Sequence, residues 1–199
     1  MDSGEAIYVA GEKWWLRRPG HPLDPDLGVS RVGTKDVRMK LEPDFWNPTE
    51  SPEQLLASDP WRELSSLLAE VRQLSLANGI TPIVVYVPTT IQVYGRQFTG
   101  EGRSFVQEKM KTRVQFESNE ADALGTLTSQ NEIRYINLLP VFQCLPARGD
   151  VLFYLADTHW NRQGREAAAE YLALSLGASP EKASMLDGCY AEPDGKRKQ

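Results

Sequence analysis

The spacing of apolar positions from residue 59 onward predicts a helix followed by a buried strand. Asp59 is a good helix cap and Pro60 a good first helical residue. Apolar side chains then recur at three- and four-residue steps and form one helix face: Trp61, Leu64, Leu67, Leu68, Val71 and Leu74. Asn78 and Gly79 predict the end of this helix. The uninterrupted β-branched run over 83–87 predicts a strand that is covered on both faces.

A second stretch follows the same plan. Its predicted helix places Val106, Met110 and Val114 on one face. The helix is predicted to continue, with a break, until just before Gly125. Residues 133–139 then predict another strand, which Pro140 ends. Helices that alternate with buried strands are typical of a parallel sheet flanked by helices.

The fold class that these elements predict is α/β, with a three-layer, flavodoxin-like parallel sheet flanked by helices. Asn161 is a plausible cap for a last helix over 162–176, which Gly177 closes. Residues 1–58 are rich in Pro, Gly and Trp and predict a peripheral region with short strands, including a hairpin over 6–16. We therefore expect an α/β unit over 59–177 and a tail over 178–199.

Composition and charge narrow the classes of function. The chain has 199 residues, of which 41% are hydrophobic and 25% are charged, as in ordinary soluble domains. Its net charge of −5 argues against a general nucleic-acid binder, which needs a basic face. No apolar run reaches the roughly 18 residues that a membrane span requires, and no signal peptide is visible at the first residues.

Cysteine and histidine usage leaves little room for a metal site. Cys144 and Cys189 lack the spacing of metal ligands, and a disulfide or two separate thiols both fit, so the compartment stays open. His21 and His159 are the only histidines, which makes a zinc site hard to assemble. The sequence therefore predicts no metal and no cofactor.

The segment Asp157–Thr158–His159 carries the candidate chemistry. In an extended turn, residues two apart point to the same side, so the Asp157 carboxylate can accept a hydrogen bond from His159 Nδ1. That bond would fix the tautomer and leave Nε2 as a general base. The same three residues are also compatible with a structural hydrogen bond or cap, and with a shared cation.

A family resemblance favours the catalytic interpretation. The string Asp-Thr-His-Trp-Asn-Arg-Gln-Gly over 157–164, followed by three alanines, resembles the last conserved block of the SGNH hydrolase superfamily of GDSL-type esterases and O-acetyltransferases. The Pro-Thr-Thr segment within 82–94 and the strand over 133–142 resemble the segments that precede that block. The likeness extends over roughly 61–176.

The resemblance implies a role for each residue of the block. His159 would be the general base and Asp157 the residue that orients it, while Trp160 would be a packing wall and Asn161 a helix cap. The implied activity is hydrolysis or transfer of acyl esters, such as those of O-acetylated carbohydrate. Relatives often carry Lys after Pro-Thr, whereas this chain has Thr90, which weakens any role of that loop in recognising substrate charge.

The nucleophile of the family is missing from the pattern. No Gly-Asp-Ser and no Gly-x-Asn-Asp string occurs, and the nearest upstream likeness is Met1–Asp2–Ser3. In most relatives the serine block comes first, an order that Asn161 favours. In alginate-type O-acetyltransferases it follows Asp-His, where this chain offers only isolated serines: Ser175, Ser179 and Ser184.

If the serine block precedes Asp-His, as in most relatives, we predict that the chain is the C-terminal part of an SGNH-type domain whose N-terminal strands are missing. An exposed sheet edge would then favour self-association. A non-catalytic binding or assembly module with the SGNH shape is the alternative.

Overall fold

A β-hairpin is the first element of the computed structural model, which describes residues 27–41, 49–99, 114–155, 159–178 and 185–189. Strands β1 (Leu27–Val32) and β2 (Lys35–Lys40) are antiparallel, and Gly33 in the turn between them has φ 58°. The hairpin buries Val32, Val37 and Met39 in the main hydrophobic core. The hairpin that we predicted over 6–16 lies outside the described residues.

Two helices follow the hairpin. Helix α1 (Pro52–Ala57) begins with a capping box in which the Ser51 hydroxyl accepts a hydrogen bond from Gln54 N. Helix α2 (Asp59–Ala77) begins one residue earlier than predicted, with Ser58 at the cap position. It ends at Asn78, and Gly79 has φ 65°, as expected for a helix that stops at a glycine.

A parallel strand pair confirms the α/β class. Strand β3 (Ile83–Tyr86) lies parallel to β4 (Arg134–Asn137), and Tyr86 at the end of β3 is opposite Asn137 at the end of β4. Val84 packs into the cluster that includes Leu68 of α2, whereas Val85 packs into the main core on the other face. Helices therefore cover both faces of the pair, which gives the three predicted layers.

The connection between the two strands differs from the prediction. It contains helix α3 (Thr90–Tyr94), a 3-10 turn (Gly95–Gln97), a second 3-10 turn (Val114–Phe116) and helix α4 (Asn119–Gln130). Val106 and Met110 lie outside the described residues. Helix α4 continues through Gly125, so the predicted end before this glycine was wrong. A Cβ at this position would lie 3.2 Å from Tyr135 Cε1, and the missing side chain leaves room for the tyrosine ring.

The strand predicted over 133–139 was too long, because helix α5 (Leu139–Ala147) begins inside it. The Asn137 Oδ1 atom accepts a hydrogen bond from Leu139 N at 2.9 Å and turns the chain out of the strand. Pro140 lies in the first turn of α5, where a proline is tolerated. Helix α6 (Arg162–Ser175) follows Asn161 as predicted.

Part of the apolar face predicted for α2 is exposed. Leu68 is buried, and Trp61 and Leu64 pack beside it, but Leu67 and Leu74 are exposed. Strand β3 has β4 on one edge, and among the described residues nothing pairs with its other edge. In this described part, no helix is both long and apolar enough to cross a bilayer.

A disulfide attaches residues 185–189 to α5. Cys144 and Cys189 are paired, with their Cα atoms 5.6 Å apart, which answers the question that the sequence left open. The Arg148 guanidinium donates to the carbonyl oxygens of Met185 and Asp187, and Leu186 is buried in the main core. These contacts fix this short piece of the expected tail against the body of the domain.

Candidate active site

Backbone hydrogen bonds join residues 152–154 to residues 159–161. Asn161 N donates to the Leu152 carbonyl at 2.9 Å, and Tyr154 N donates to the His159 carbonyl at 3.0 Å. Between these two bonds, Phe153 and Trp160 form an isolated antiparallel bridge. The two strands of this small loop therefore hold the backbone of His159 in place directly before α6.

The structure describes one of the two predicted catalytic residues. The His159 side chain is exposed, and its backbone is fixed by the bond from Tyr154. Asp157 lies outside the described residues, so the hydrogen bond between its carboxylate and His159 Nδ1 stays a prediction. Exposure of the imidazole is what a base that must reach a substrate requires.

Asn161 joins the loop to the helix. Its Oδ1 accepts a hydrogen bond from Gly164 N at 3.0 Å, which is the cap that we predicted. Its Nδ2 donates to the carbonyl oxygens of Val151 and Phe153, at 2.6 and 3.3 Å. The side chain is buried, and both of its polar atoms are bonded. Asn161 therefore fixes the start of α6 relative to the strand of the loop that precedes His159.

Gly164 has a steric reason to be a glycine. A Cβ at this position would lie 2.2 Å from the Leu152 carbonyl oxygen and 3.2 Å from Trp160 Cβ. No side chain fits there, because real Cβ contacts are longer than 3 Å. The glycine in the predicted motif thus allows the first turn of α6 to pack directly on the backbone of the loop.

Two of the predicted motifs meet beside this loop. Tyr94, which ends the Pro-Thr-Thr segment, is fully buried, and its hydroxyl oxygen accepts a hydrogen bond from Leu152 N at 2.7 Å. The Tyr94 ring meets Phe153 edge-on, at a centroid distance of 5.9 Å. Trp160 packs on Phe142 of α5 at 5.0 Å, as the predicted packing wall. The Pro-Thr-Thr segment therefore supports the loop that carries His159.

A family model matches residues 48–192, which include the loop, the parallel strands and all the helices named above. It describes an SGNH hydrolase-like domain of the acetyltransferase AlgX. The chain belongs to this family. Comparisons with curated proteins and with solved structures gave no match. Membership of the AlgX family confirms the resemblance to SGNH hydrolases at the level of the superfamily.

Within the AlgX-type domain, one candidate nucleophile can be rejected on distance. Ser175 is the last residue of α6, fourteen residues after Asn161 at its cap. A helix rises 1.5 Å per residue, so these two residues are about 20 Å apart. Ser175 is therefore too far from His159 to form a catalytic pair with it. Ser3, Ser179 and Ser184 lie outside the described residues.

Thr90 cannot replace the lysine that relatives often carry. Its side chain is buried in α3, directly after Thr89, which caps that helix in a capping box with Gln92. A buried threonine presents no charge to a substrate. Any recognition of charge near this loop must come from another residue.

A polar network that the sequence analysis missed lies where β3 ends. The Gln92 amide donates to the Tyr86 hydroxyl at 2.6 Å and to the Glu117 carbonyl oxygen at 3.0 Å. The Tyr86 hydroxyl donates to Glu120 Oε2 at 2.9 Å. Gln143 of α5 donates to the Gln92 carbonyl oxygen at 2.9 Å. The network thus joins α3, α4 and α5 at the carboxyl edge of the sheet, where ligands bind in open α/β folds.

Burial raises the pKa values of the acids of this network. Desolvation raises the pKa of Glu120, and its hydrogen bond from Tyr86 offsets part of that shift. Desolvation also raises the pKa of Glu117, which the Arg96 guanidinium partly offsets. Desolvation and the nearby Glu120 carboxylate raise the pKa of the Tyr86 hydroxyl, so this group stays neutral and donates its hydrogen bond. No local pattern in the sequence marks these acids as buried.

Other concave or ligating features add little to the site. A groove of about 500 Å³ opens between α4 and β4, with Asp122, Tyr135 and Asn137 in its lining, and His159 is not among its lining residues. Within the described part of the chain, no three Cys, His, Asp or Glu side chains are grouped as metal ligands. The prediction that Asp157 and His159 could share a cation is not tested, because Asp157 lies outside the described residues.

Proposed function

We propose that this chain contributes the base of an SGNH-type ester hydrolase or O-acyltransferase that acts on acyl esters such as O-acetylated carbohydrate. The family match over 48–192 carries the proposal. The loop that holds His159 against a capped helix supports it. In this proposal His159 is the general base, and Asp157 orients its imidazole.

The chemistry divides into two acyl transfers. His159 Nε2 takes the proton of a nucleophilic hydroxyl as that oxygen attacks the ester carbonyl, and returns it to the leaving alcohol as the acyl–oxygen bond breaks. In the second transfer, water or an acceptor hydroxyl gives its proton to His159 and attacks the acyl carbon; the bond from that carbon to the nucleophilic oxygen breaks, and His159 returns the proton to this oxygen. In the alginate-type order, the serine block follows Asp-His; no Gly-Asp-Ser string follows His159 in this sequence. The nucleophile is therefore left unassigned.

Hydrolysis of p-nitrophenyl acetate by the full chain tests this role. We expect His159→Ala to lower the rate by on the order of a thousandfold, as in other enzymes that lose the base of a triad. His21→Ala is the matched control, since it removes the only other histidine. Equal, background rates for the wild type and His159→Ala would exclude independent esterase activity of this chain.

The missing Gly-Asp-Ser string favours a second candidate, a non-catalytic binding or assembly module that keeps the SGNH shape. A fluorophosphonate probe separates the two candidates, because it labels an activated serine and leaves a module without one unlabelled. Covalent labelling of the wild type that is lost in His159→Ala would reject the second candidate. Self-association through an exposed sheet edge stays a prediction.

A further inference from the structure

Exposed apolar side chains are concentrated in one short stretch of the chain. Among the described residues, eight large hydrophobic side chains are exposed, and seven of them come from the second half of α2 and from β3 with its flanks: Leu67, Val71, Leu74, Leu76, Ile80, Ile83 and Val87. The eighth, Leu176, follows α6. Single exposed hydrophobic residues are ordinary, but a group on adjacent elements indicates an interaction surface.

A stripe on one flank of α2 includes three of these side chains: Leu67, Val71 and Leu74. Their spacing of four and three residues puts them on one helix face, about a quarter turn away from the direction of the buried Leu68. Arg72 projects from the other flank of α2 and bonds to Glu132, which lies two residues before β4. That flank therefore faces β4, and the stripe faces the edge of β3 with which no described residue pairs.

The opposite face of β3 is also incompletely covered. Side chains alternate along a strand, so Ile83 and Val87 share the face of Val85, which packs into the main core. Ile83 and Val87 are nevertheless 37% and 55% exposed. The strand has no charged residue, although charges are a usual protection of an edge strand. This edge thus combines an unpaired backbone with apolar side chains on both faces, which another strand would cover.

The edge of β3 is self-complementary. Two copies of an edge strand that are related by a two-fold axis pair antiparallel, so an early residue of one strand meets a late residue of the other. When Val85 lies opposite its own copy, Ile83 lies opposite Val87 of the second copy. The pairing then covers the exposed side chains at both ends of the strand.

The α2 stripes meet under the same symmetry. The axis runs perpendicular to the sheet, so the two copies of α2 lie on one face and are antiparallel to each other. A spacing of four and three residues matches its own reverse, so Leu67 of one copy meets Leu74 of the other, while both Val71 side chains lie near the axis. A partner of another sequence needs two separate matches, to the strand and to the stripe, whereas a second copy provides both by symmetry.

We propose that the α2 stripe and the unpaired edge of β3 form a two-fold interface with a second copy of this chain. The proposal assigns a surface to the self-association that we predicted from the sequence. Among the described residues, it converts the two-stranded parallel pair into one continuous four-stranded sheet, which is a more stable unit. No residue of the loop that holds His159 takes part, so the interface does not depend on the proposed function.

The size of the patch indicates the affinity. The largest apolar patch on a typical monomer measures about 300–600 Å². Five residues with exposed fractions of 37–65% occupy much of that range: Leu67, Val71, Leu74, Ile83 and Val87. A specific dimer buries roughly 600–1,000 Å² on each partner, so this patch and the polar atoms around it reach the lower end. We therefore expect micromolar rather than nanomolar association.

Sedimentation velocity of the full chain tests the proposal. From about 1 to 100 μM, we expect the mass to rise from that of one chain to that of two. Leu67→Glu puts a carboxylate into the stripe at a position where a helix tolerates glutamate, so we expect a folded variant that associates at least about tenfold more weakly. Leu176→Glu is the matched control, because both leucines are 53% exposed. That variant should dimerise like the wild type.

Cross-linking tests the position of the axis. Cys144 and Cys189 are the only cysteines and form a disulfide, so Val71→Cys introduces a single free thiol. We expect a short bis-maleimide reagent to link two copies of this variant, because both side chains lie near the axis. Leu176→Cys is the control and should show background linkage only.

A chain that stays monomeric over the whole concentration range would overturn the proposal and leave this surface to a different protein or to residues outside the described ranges. Equal association of Leu67→Glu and Leu176→Glu would overturn it as well. Assemblies larger than a dimer, or a dimer that Val71→Cys does not link, would contradict the two-fold arrangement. All these outcomes are read as mass, so they are distinct from a failure of His159→Ala to change ester hydrolysis.

Discussion

Asn161 and Glu117 are both buried polar residues beside a helix start, yet their surroundings differ. The Asn161 amide has a partner for both polar atoms: Oδ1 accepts from Gly164 N, and Nδ2 donates to two carbonyl oxygens. The Glu117 carboxylate is equally buried, but its charged partner is Arg96, whose side chain is mostly exposed. One residue is neutral and has a partner for each polar atom, and the other is a buried charge whose partner lies largely in solvent.

The difference separates two kinds of buried polar group. A side chain whose donors and acceptors are all used stabilises the structure and specifies one geometry. A charged group that is buried beside a mostly exposed partner has a desolvation cost that the ion pair offsets only in part. We therefore assign Asn161 to the framework that carries His159, and we expect the burial of Glu117 to make the stability of the fold depend on pH.

Replacing Gly164 by alanine should have the largest effect on stability, because the new side chain would clash at the tightest contact of this framework. Alanine normally stabilises a helix relative to glycine by about 1 kcal/mol. Here the added Cβ would lie 2.2 Å from the Leu152 carbonyl oxygen, so we expect a loss of at least about 3 kcal/mol. Urea denaturation followed by circular dichroism measures the change in the free energy of unfolding.

Gly125→Ala is the control for this substitution, since Gly125 is also helical. Its Cβ would meet only the Tyr135 ring, at 3.2 Å, and a side chain can shift more easily than a backbone carbonyl. We expect a much smaller loss. A Gly164→Ala variant as stable as the wild type would show that the loop and α6 are not packed as described.

Replacing Asn161 by alanine should have the next largest effect. The variant loses the cap of α6 and leaves the Gly164 amide and the Val151 carbonyl buried without partners. We expect a loss of about 2–3 kcal/mol in the free energy of unfolding, again from urea denaturation. The cap of α1, which is exposed, provides the control: Ser51→Ala should lower the free energy of unfolding by about 1 kcal/mol or less. Equal losses for the two variants would mean that burial of Asn161 adds nothing.

The framework around Asn161 was largely predictable from the sequence. Its cap, the helix that follows and the apolar runs that contain β3 and β4 are local patterns, so periodicity and capping preferences reveal them. Helix α5 was missed because its residues, two prolines among them, continue the apolar run of the preceding strand. The break is set by the Asn137 side chain, which bonds to Leu139 N.

The surroundings of Glu117 were not predictable in the same way. Its partner Arg96 is twenty-one positions away, and Gln92 and Gln143 come from two other helices. Nothing in the local sequence distinguishes this glutamate from an exposed one, since burial arises only when α3, α4 and α5 meet. The pairing of Cys144 with Cys189 is likewise a long-range contact.

Replacing Glu117 by glutamine should have the smallest effect on stability, and its sign depends on pH. Burial raises the pKa of Glu117 above the ordinary value of 4.5, so the folded chain holds this proton where the unfolded chain has released it. The resulting stabilisation is complete below pH 4.5 and is lost as pH rises through the pKa of the folded state. The wild type should therefore lose stability as pH rises over this interval, and Glu117→Gln should lose less.

Urea denaturation at a series of pH values measures these slopes. Glu120→Gln provides the comparison, because burial also raises the pKa of Glu120 and its removal should flatten the slope in the same direction. Glu120 accepts a hydrogen bond from the Tyr86 hydroxyl, so its replacement also perturbs this bond. If Glu117→Gln kept the slope of the wild type, the carboxylate would not be desolvated in solution. Glu117 would then resemble an ordinary surface acid, and its contrast with Asn161 would disappear.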